Sequence, residues 1–411
     1  MQHYAMTVTA GNRGRLALAS LLGALLAIAA PAPVLAQAQQ VSEAVFKKFD
    51  PAREAYQKRD YTTAMKLGGE ALAVAKSSFE KGACLKIIMG SALQLRAYPQ
   101  AVEAIEELTA LEGIPANEKL GYQRTLGQLY GQLGRTDKAI AVSKDYIKAT
   151  GGKAEDWEGL AQLYFRVNDC ANSLQALEHA LAGGRAASED QLKLQGRCYF
   201  QFKDPVKRAT VTEELLRRFP KKDYYVQLLA LYEERKMDDM AQLEMLRYGF
   251  DRDWLDQEAD YVRLADLALD VGTTAEAQRV LERGISRKAV KNADKNARLL
   301  AQAKSRATED KKTVAQLDAE ARAGKNGESD VKVGFRYFGN GDYEKAAEAI
   351  SRGLEPERVA KVKRVDDANM VLGMAQLKLK KKPEAEKAFK AAKNDARMGA
   401  VATLWLNASG A

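Results

Sequence analysis

The sequence predicts an all-helical solenoid of about eight to ten stacked helix hairpins, a superhelical array closed by a C-terminal capping helix, and three observations carry that expectation. A small residue stands three positions before a tyrosine in Leu126-Gly127 with Tyr130, in Leu160-Ala161 with Tyr164 and in Gln195-Gly196 with Tyr199. Those tyrosines follow one another at intervals of 34 and 35 residues, a helix-hairpin repeat length. The same phrase returns near the C-terminus as Gly334 and Tyr337, followed by Gly341-Asp342-Tyr343-Glu344-Lys345-Ala346-Ala347, a turn leading into a second helix at a close-packed alanine.

The 411 residues are 46% hydrophobic and 29% charged with only 9 prolines, the profile of a helical array rather than a disordered chain. In such a stack each unit buries its apolar face against its neighbours, so no central pocket is guaranteed and the case for an enzyme weakens. Arg13 and Arg15 precede the apolar stretch Leu16 to Ala30, and Pro31-Ala32-Pro33-Val34-Leu35-Ala36 offers the small residues a signal peptidase reads. Residues 1–36 are therefore expected to be a cleavable leader, cut after Ala36 or, second, after Ala38. The stretch is shorter than the roughly 20 residues that span a bilayer, and no cysteine is placed for a lipid anchor. No other stretch looks able to span a membrane. The expected location is a bacterial periplasm, and a nucleic-acid role falls with it despite a net charge of +9.

The elements follow in order. A short linker leads to a repeat over 46–76, where Ala52, Ala55, Ala64, Met65, Ala71 and Leu72 face inward around the turn Asp60-Tyr61. The next, over 82–111, turns at Arg96-Ala97-Tyr98-Pro99, with the proline at a helix start where its missing N–H costs nothing. Repeats over 116–151, 154–184 and 188–220 carry the tyrosine phrase, and looser ones cover 224–250 and 261–287. The stretch 288–326 is poor in large apolar residues and alternates lysine with acids, which reads as a degenerate helical hairpin between the array at 37–287 and the final segment, 327–411. That segment contains two good repeats, over 328–357 and 366–395. Val401, Leu404, Trp405 and Leu406 then supply the closing helix that a terminal repeat needs.

Much of the positive charge gathers from Arg352 to Arg397, in Lys361, Lys363, Arg364, Lys378, Lys380, Lys381 and Lys382. This reads either as a solvated helix-turn-helix surface or as a basic face for an acidic partner or anionic lipid. Catalytic signatures are missing. The mature chain would keep His179 alone, and Cys84, Cys170 and Cys198 show no C-x-x-C spacing, so neither a metal cluster nor a redox motif is expected. Gly324-Lys325-Asn326-Gly327 lacks the spacing of a phosphate loop. No cofactor is expected.

Collectively, Trp157, Leu160-Ala161, Tyr164, Leu126-Gly127, Tyr130, Gly134, Ala139, Gly341-Asp342-Tyr343, Ala346, Leu372-Gly373, Phe389 and Pro220 make the sequence resemble the tetratricopeptide repeat family over essentially the whole mature chain. Cys170 and Ser173 depart from the usual turn tyrosine and second-helix alanine. Within that family the leader, Val41-Ser42-Glu43-Ala44-Val45 and the closing stretch from Arg364-Val365-Asp366-Asp367-Ala368 through Trp405 resemble periplasmic members associated with TonB-dependent transport systems. The resemblance implies a concave groove lined by first helices. Its positions here are Phe165, Arg166, Arg197, Phe200, Phe335, Phe338, Met370, Met374 and Leu377, which either receive a peptide or pack against the adjacent helix. It also implies antiparallel packing that brings Cys170 near Cys198, as a disulfide or as two reduced thiols, with Cys84 unpaired. The function that follows is a non-catalytic periplasmic adaptor that binds a protein or peptide of the cell envelope. The alternatives are a chaperone for outer-membrane clients and an accessory subunit of a cell-envelope enzyme.

Overall fold

The structure, a computed structural model, describes residues 41–291 and 294–408, and the leader expected at 1–36 lies outside them. Among the described residues every regular element is an α-helix, and none is long and apolar enough to cross a membrane. They form two compact units, Lys119 ending the first and Leu120 beginning the second.

In the first unit α1 (Glu43–Gln57), α2 (Tyr61–Leu72), α3 (Ser78–Gln94) and α4 (Tyr98–Ala110) pack as successive antiparallel neighbours. Their shared core is small-residue rich, with Ala52, Ala64, Ala71, Ala92 and Ala101 fully buried. Glu80 ties the start of α1 to α3. Its carboxylate accepts the backbone N–H of Ser42 at 2.8 Å, of Ser77 at 3.1 Å and of Lys76 at 3.0 Å, and these donors hold its carboxyl far below the usual range.

The boundary falls within α5 (Ala116–Gln132), and the second unit continues with α6 (Thr136–Thr150), α7 (Ala154–Arg166), α8 (Cys170–Ala180), α9 (Glu189–Gln201), α10 (Pro205–Arg218), α11 (Lys222–Glu234), α12 (Asp239–Asp251), α13 (Glu258–Asp270) and α14 (Thr274–Ser286). After α15 (Asp294–Gly324) come α16 (Gly327–Asn340), α17 (Tyr343–Gly353), the single turn α18 (Pro356–Val359), α19 (Val365–Lys378), α20 (Lys382–Ala392) and α21 (Gly399–Ala408).

Each hairpin turns in the same way. One residue takes a left-handed conformation after the first helix: Arg59, Arg96, Gly134, Asn168, Lys203, Lys236, Gly272, Gly341 and Lys380. The N–H of the next residue then returns to a carbonyl of the helix just left, as Asp169 does to Tyr164 at 2.9 Å and Asp204 to Tyr199 at 3.0 Å. In eight of the nine that next residue also starts the second helix; after Lys236 the cap is Asp238, one residue later. Asp60, Asp169, Asp204 and Asp342 accept the backbone N–H three residues on, at 3.1, 3.1, 2.9 and 3.3 Å.

The small residues of the repeated phrase lie where the two helices of a hairpin touch. A Cβ on Gly334 would run into Ile350, and one on Gly373 into the Phe389 ring. Ser173, which replaces the usual second-helix alanine, is buried and donates its hydroxyl to the Ala161 carbonyl at 2.8 Å, so the departure leaves no polar group unsatisfied.

The helix pair expected over 288–326 is instead one helix of 31 residues, α15. No glycine or proline interrupts the sequence between Asp294 and Ala323, and nothing there supplies a left-handed turn residue with a following cap. Ala303, Ala307, Val314 and Ala321 form its buried stripe, which packs on α14 and α16.

The last helix does more than cap. It packs on α20 as expected, and also on α10 and α12. Trp405 is buried and donates its indole N–H to the Glu244 carbonyl at 3.1 Å, across 161 residues of sequence, with its ring edge-on to Tyr248. Ion pairs join the same sides: Arg364 to Asp238 at 2.6 Å and Lys378 to Asp251 at 2.8 Å. The second unit therefore turns back on itself.

The six non-glycine turn residues carry a backbone penalty that glycine lacks. Lys236→Gly should raise the thermal midpoint, and Gly272→Ala should lower stability by about 1 kcal/mol. Calorimetry of both variants checks the pair, which must move in opposite directions.

Candidate partner-binding surfaces

The nine groove positions expected from sequence divide into two groups. Phe335, Phe338, Met370 and Met374 are buried, so they do not form an open groove; Leu377 is half-buried against the same core. The reason is the closure. α16 and α19 pack against each other, α14 packs on α16, and α21 lies over α12, which removes these side chains from solvent. The Arg279 guanidinium reaches across to the Gly339 carbonyl at 2.6 Å, and that of Arg247 lies 5.1 Å from the Phe338 ring centroid.

The other group stays accessible. Phe200 is 63% exposed near the end of α9, with Arg197 one turn before it, and the Arg208 guanidinium lies 4.9 Å from its ring centroid. Phe202, in the α9–α10 turn, and Val206, at the start of α10, are also exposed. On α7, Phe165 is half-buried and Arg166 is exposed, and the Arg166 guanidinium donates to the Gly131 carbonyl of α5 at 2.6 Å. Gln201 of α9 donates to Asn168, in the α7–α8 turn, at 3.2 Å. A disulfide between Cys170 and Cys198, with Cα atoms 5.2 Å apart, joins α8 to α9 just behind this surface. Cys84 is buried and unpaired, and burial, with the Glu80 charge, pushes its thiol up to about 11.

The basic face is also divided. Arg364 and Lys378 are engaged in the closing ion pairs, whereas Lys361, Lys363, Lys380, Lys381 and Lys382 remain exposed.

Sequence reasoning missed the polar seam behind the closure. Arg247 is buried between Glu244, at 2.6 Å, and Glu276 of α14, at 2.9 Å, and also donates to Thr273 at 3.2 Å. One guanidinium cannot neutralise two carboxylates. Burial works against ionised Glu276, but the Arg247 charge and hydrogen bonds overcome it and hold that carboxyl below its usual range. Burial pushes Glu244 up to about 7, and one of its oxygens has no hydrogen-bond partner. Asp367, beside Arg364 at 2.6 Å, is raised by burial to about 8. No group of three histidine, cysteine or acidic side chains among the described residues is placed to hold a metal ion.

From Arg59 to Gly272 the left-handed turn residues recur every 33 to 38 residues, each between antiparallel helices that meet at small side chains. Both units of this chain are built from tetratricopeptide-type helix hairpins. No protein-family model and no curated protein matches it. Similar solved structures include YrrB, a TPR protein with an unusual peptide-binding site, at 11% identity and TM-score 0.36 over 47% of this chain and 92% of that one. MamA from Desulfovibrio magneticus is 13% identical at TM-score 0.34, over 48% of this chain and 99% of its own. A tetratricopeptide repeat protein from Parabacteroides merdae is 11% identical at TM-score 0.26, over 90% of this chain and all of its own, 100%.

Two outcomes follow for this solenoid. Thiol labelling of the denatured, unreduced protein should find one reactive cysteine, Cys84; three would show that Cys170 and Cys198 are not joined. The raised carboxyls of Glu244 and Asp367 hold protons in the folded state that the unfolded chain releases above about pH 4. Their contribution to stability is full below that pH and is lost as pH rises through 7 and 8. Thermal melts should therefore show a midpoint falling between about pH 4 and pH 8 and levelling above it, and Asp367→Asn should make that fall smaller.

Proposed function

We propose that this chain is a non-catalytic protein-interaction adaptor of the bacterial cell envelope, exported to the periplasm, where it supports TonB-dependent outer-membrane transport by binding components of that machinery. The observation that carries the adaptor reading is the exposed aromatic and cationic surface of α7, α9 and the α9–α10 turn. Phe200, Phe202 and Val206 are each at least half exposed there, at 63%, 50% and 54%. Exposed apolar side chains set among arginines are the usual chemistry of a protein-binding site, with the apolar anchors supplying affinity and the cations orientation. The location and the transport role rest on the leader at 1–36 and on the resemblance of the chain's two ends to periplasmic tetratricopeptide proteins.

The closure sharpens the reading. With Phe335, Phe338, Met370 and Met374 buried, the accessible part of the expected groove is the part on α7 and α9. The exposed lysines at 361, 363 and 380–382 lie elsewhere on the same unit and would steer an acidic partner during encounter.

A photo-crosslinker at position 202, followed by mass spectrometry on envelope fractions, should give one dominant partner. Phe165→Ala with Phe200→Ala should then weaken its capture by about 2 kcal/mol, roughly thirtyfold, with little change in melting temperature. Charge reversal of Lys380, Lys381 and Lys382 should slow association at low salt and matter little at high salt. Wild-type capture by both folded variants would place the binding surface elsewhere, and crosslinks spread over many unfolded clients would favour a chaperone.

A further inference from the structure

We propose that the cleft between α6 and α8, floored by α7, is a binding site for a small aromatic carboxylate, separate from the protein-binding surface of α7 and α9. Its principal residues are Lys144, Lys148, Trp157, Tyr164, Gln175 and His179, around a volume of about 340 Å³, within the range of small-molecule pockets.

The wall of the cleft is built and held. Gly151 and Gly152 both take left-handed conformations, with φ of 81° and 67°. A Cβ on Gly152 would press within 3.0 Å of the Trp157 indole nitrogen and 3.1 Å of Ile147. With glycine there, the backbone comes close enough for the Gly151 carbonyl to accept the indole N–H at 3.1 Å, which fixes the plane of the ring. His179 stacks on that indole, centroids 4.2 Å apart and planes 19° from parallel. The lone histidine of the described residues is thus part of a fixed aromatic wall, and Tyr164 extends it along α7.

The charge around the wall is of one sign. Lys144 and Lys148 stand one turn apart on α6, neither has an ion-pair partner among the described residues, and no carboxylate lines the cleft. Lys148 has a local reason to be there, since it faces the carbonyl end of α6. Lys144, a turn earlier, has none. Gln175 adds a neutral hydrogen-bonding group on the opposite side, from α8. A flat aromatic body matches the indole and imidazole, and a carboxylate at its edge matches the two ammonium groups. A cation is repelled by the lysines, and an uncharged arene leaves them unused.

The test is calorimetric titration of the full chain with 1-naphthoate, with 1-naphthalenemethanol as the uncharged analogue. The expected result is one saturable site with Kd below about 1 mM, at least about tenfold weaker for the alcohol. Lys144→Gln with Lys148→Gln, both exposed, should weaken naphthoate binding about tenfold at unchanged melting temperature, and His179→Ala should weaken it as well. Phe200→Ala should leave it unchanged, which separates failure here from failure of the adaptor reading. The proposal is overturned if naphthoate does not saturate by about 5 mM, if the alcohol binds equally well, or if the folded lysine variant binds like the wild type.

Discussion

Two antiparallel helices joined by so short a connection must reverse the chain within about three residues, and here a single residue with positive φ does it in all nine hairpins described. The rest of the fold depends on that constraint. The left-handed residue sends the next N–H back to the first helix, and the residue bearing that N–H often caps the second, so both frayed ends are satisfied at one point. With the turn fixed, the register between the helices is fixed too. The small residues at 127, 161, 334 and 373 then fall at the crossing, and larger side chains fill the spaces on either side.

This explains how much was legible in the sequence. The turns announce themselves where aspartate follows the left-handed position, as at Asp60, Asp204 and Asp342, and the spacing of tyrosines gives the period. Six of the nine left-handed residues are arginine, asparagine or lysine rather than glycine, so glycine alone would have missed most of them. The stretch 288–326 shows the limit. A shortage of large apolar residues looked like a weak hairpin, yet an alanine stripe is enough for one long helix packed between α14 and α16.

The site was less legible, because periodicity shows which face of a helix is apolar and not what eventually covers it. Phe338 and Met374 carry the same local signal as Phe200, and only the return of the C-terminal helices distinguishes them. Arg364 and Lys378 likewise look like members of a solvated lysine run, although their carboxylate partners lie 126 and 127 residues earlier. The buried Arg247, with its two glutamates, was hidden for the same reason. Desolvating such a group is unfavourable unless several acceptors surround it, and those acceptors come from two helices that adjoin only in the finished fold.

The Trp405 to Glu244 bond has a kinetic consequence. Contacts in an open solenoid are local, so its repeats can form and stack in the order they are synthesised. Here the closing bond spans 161 residues, and closing so large a loop costs entropy that no local contact repays. α10 and α12 can stack before α21 docks on them, and their inner faces stay bare until it does. Completion of the second unit is thereby tied to the docking of its last described helix.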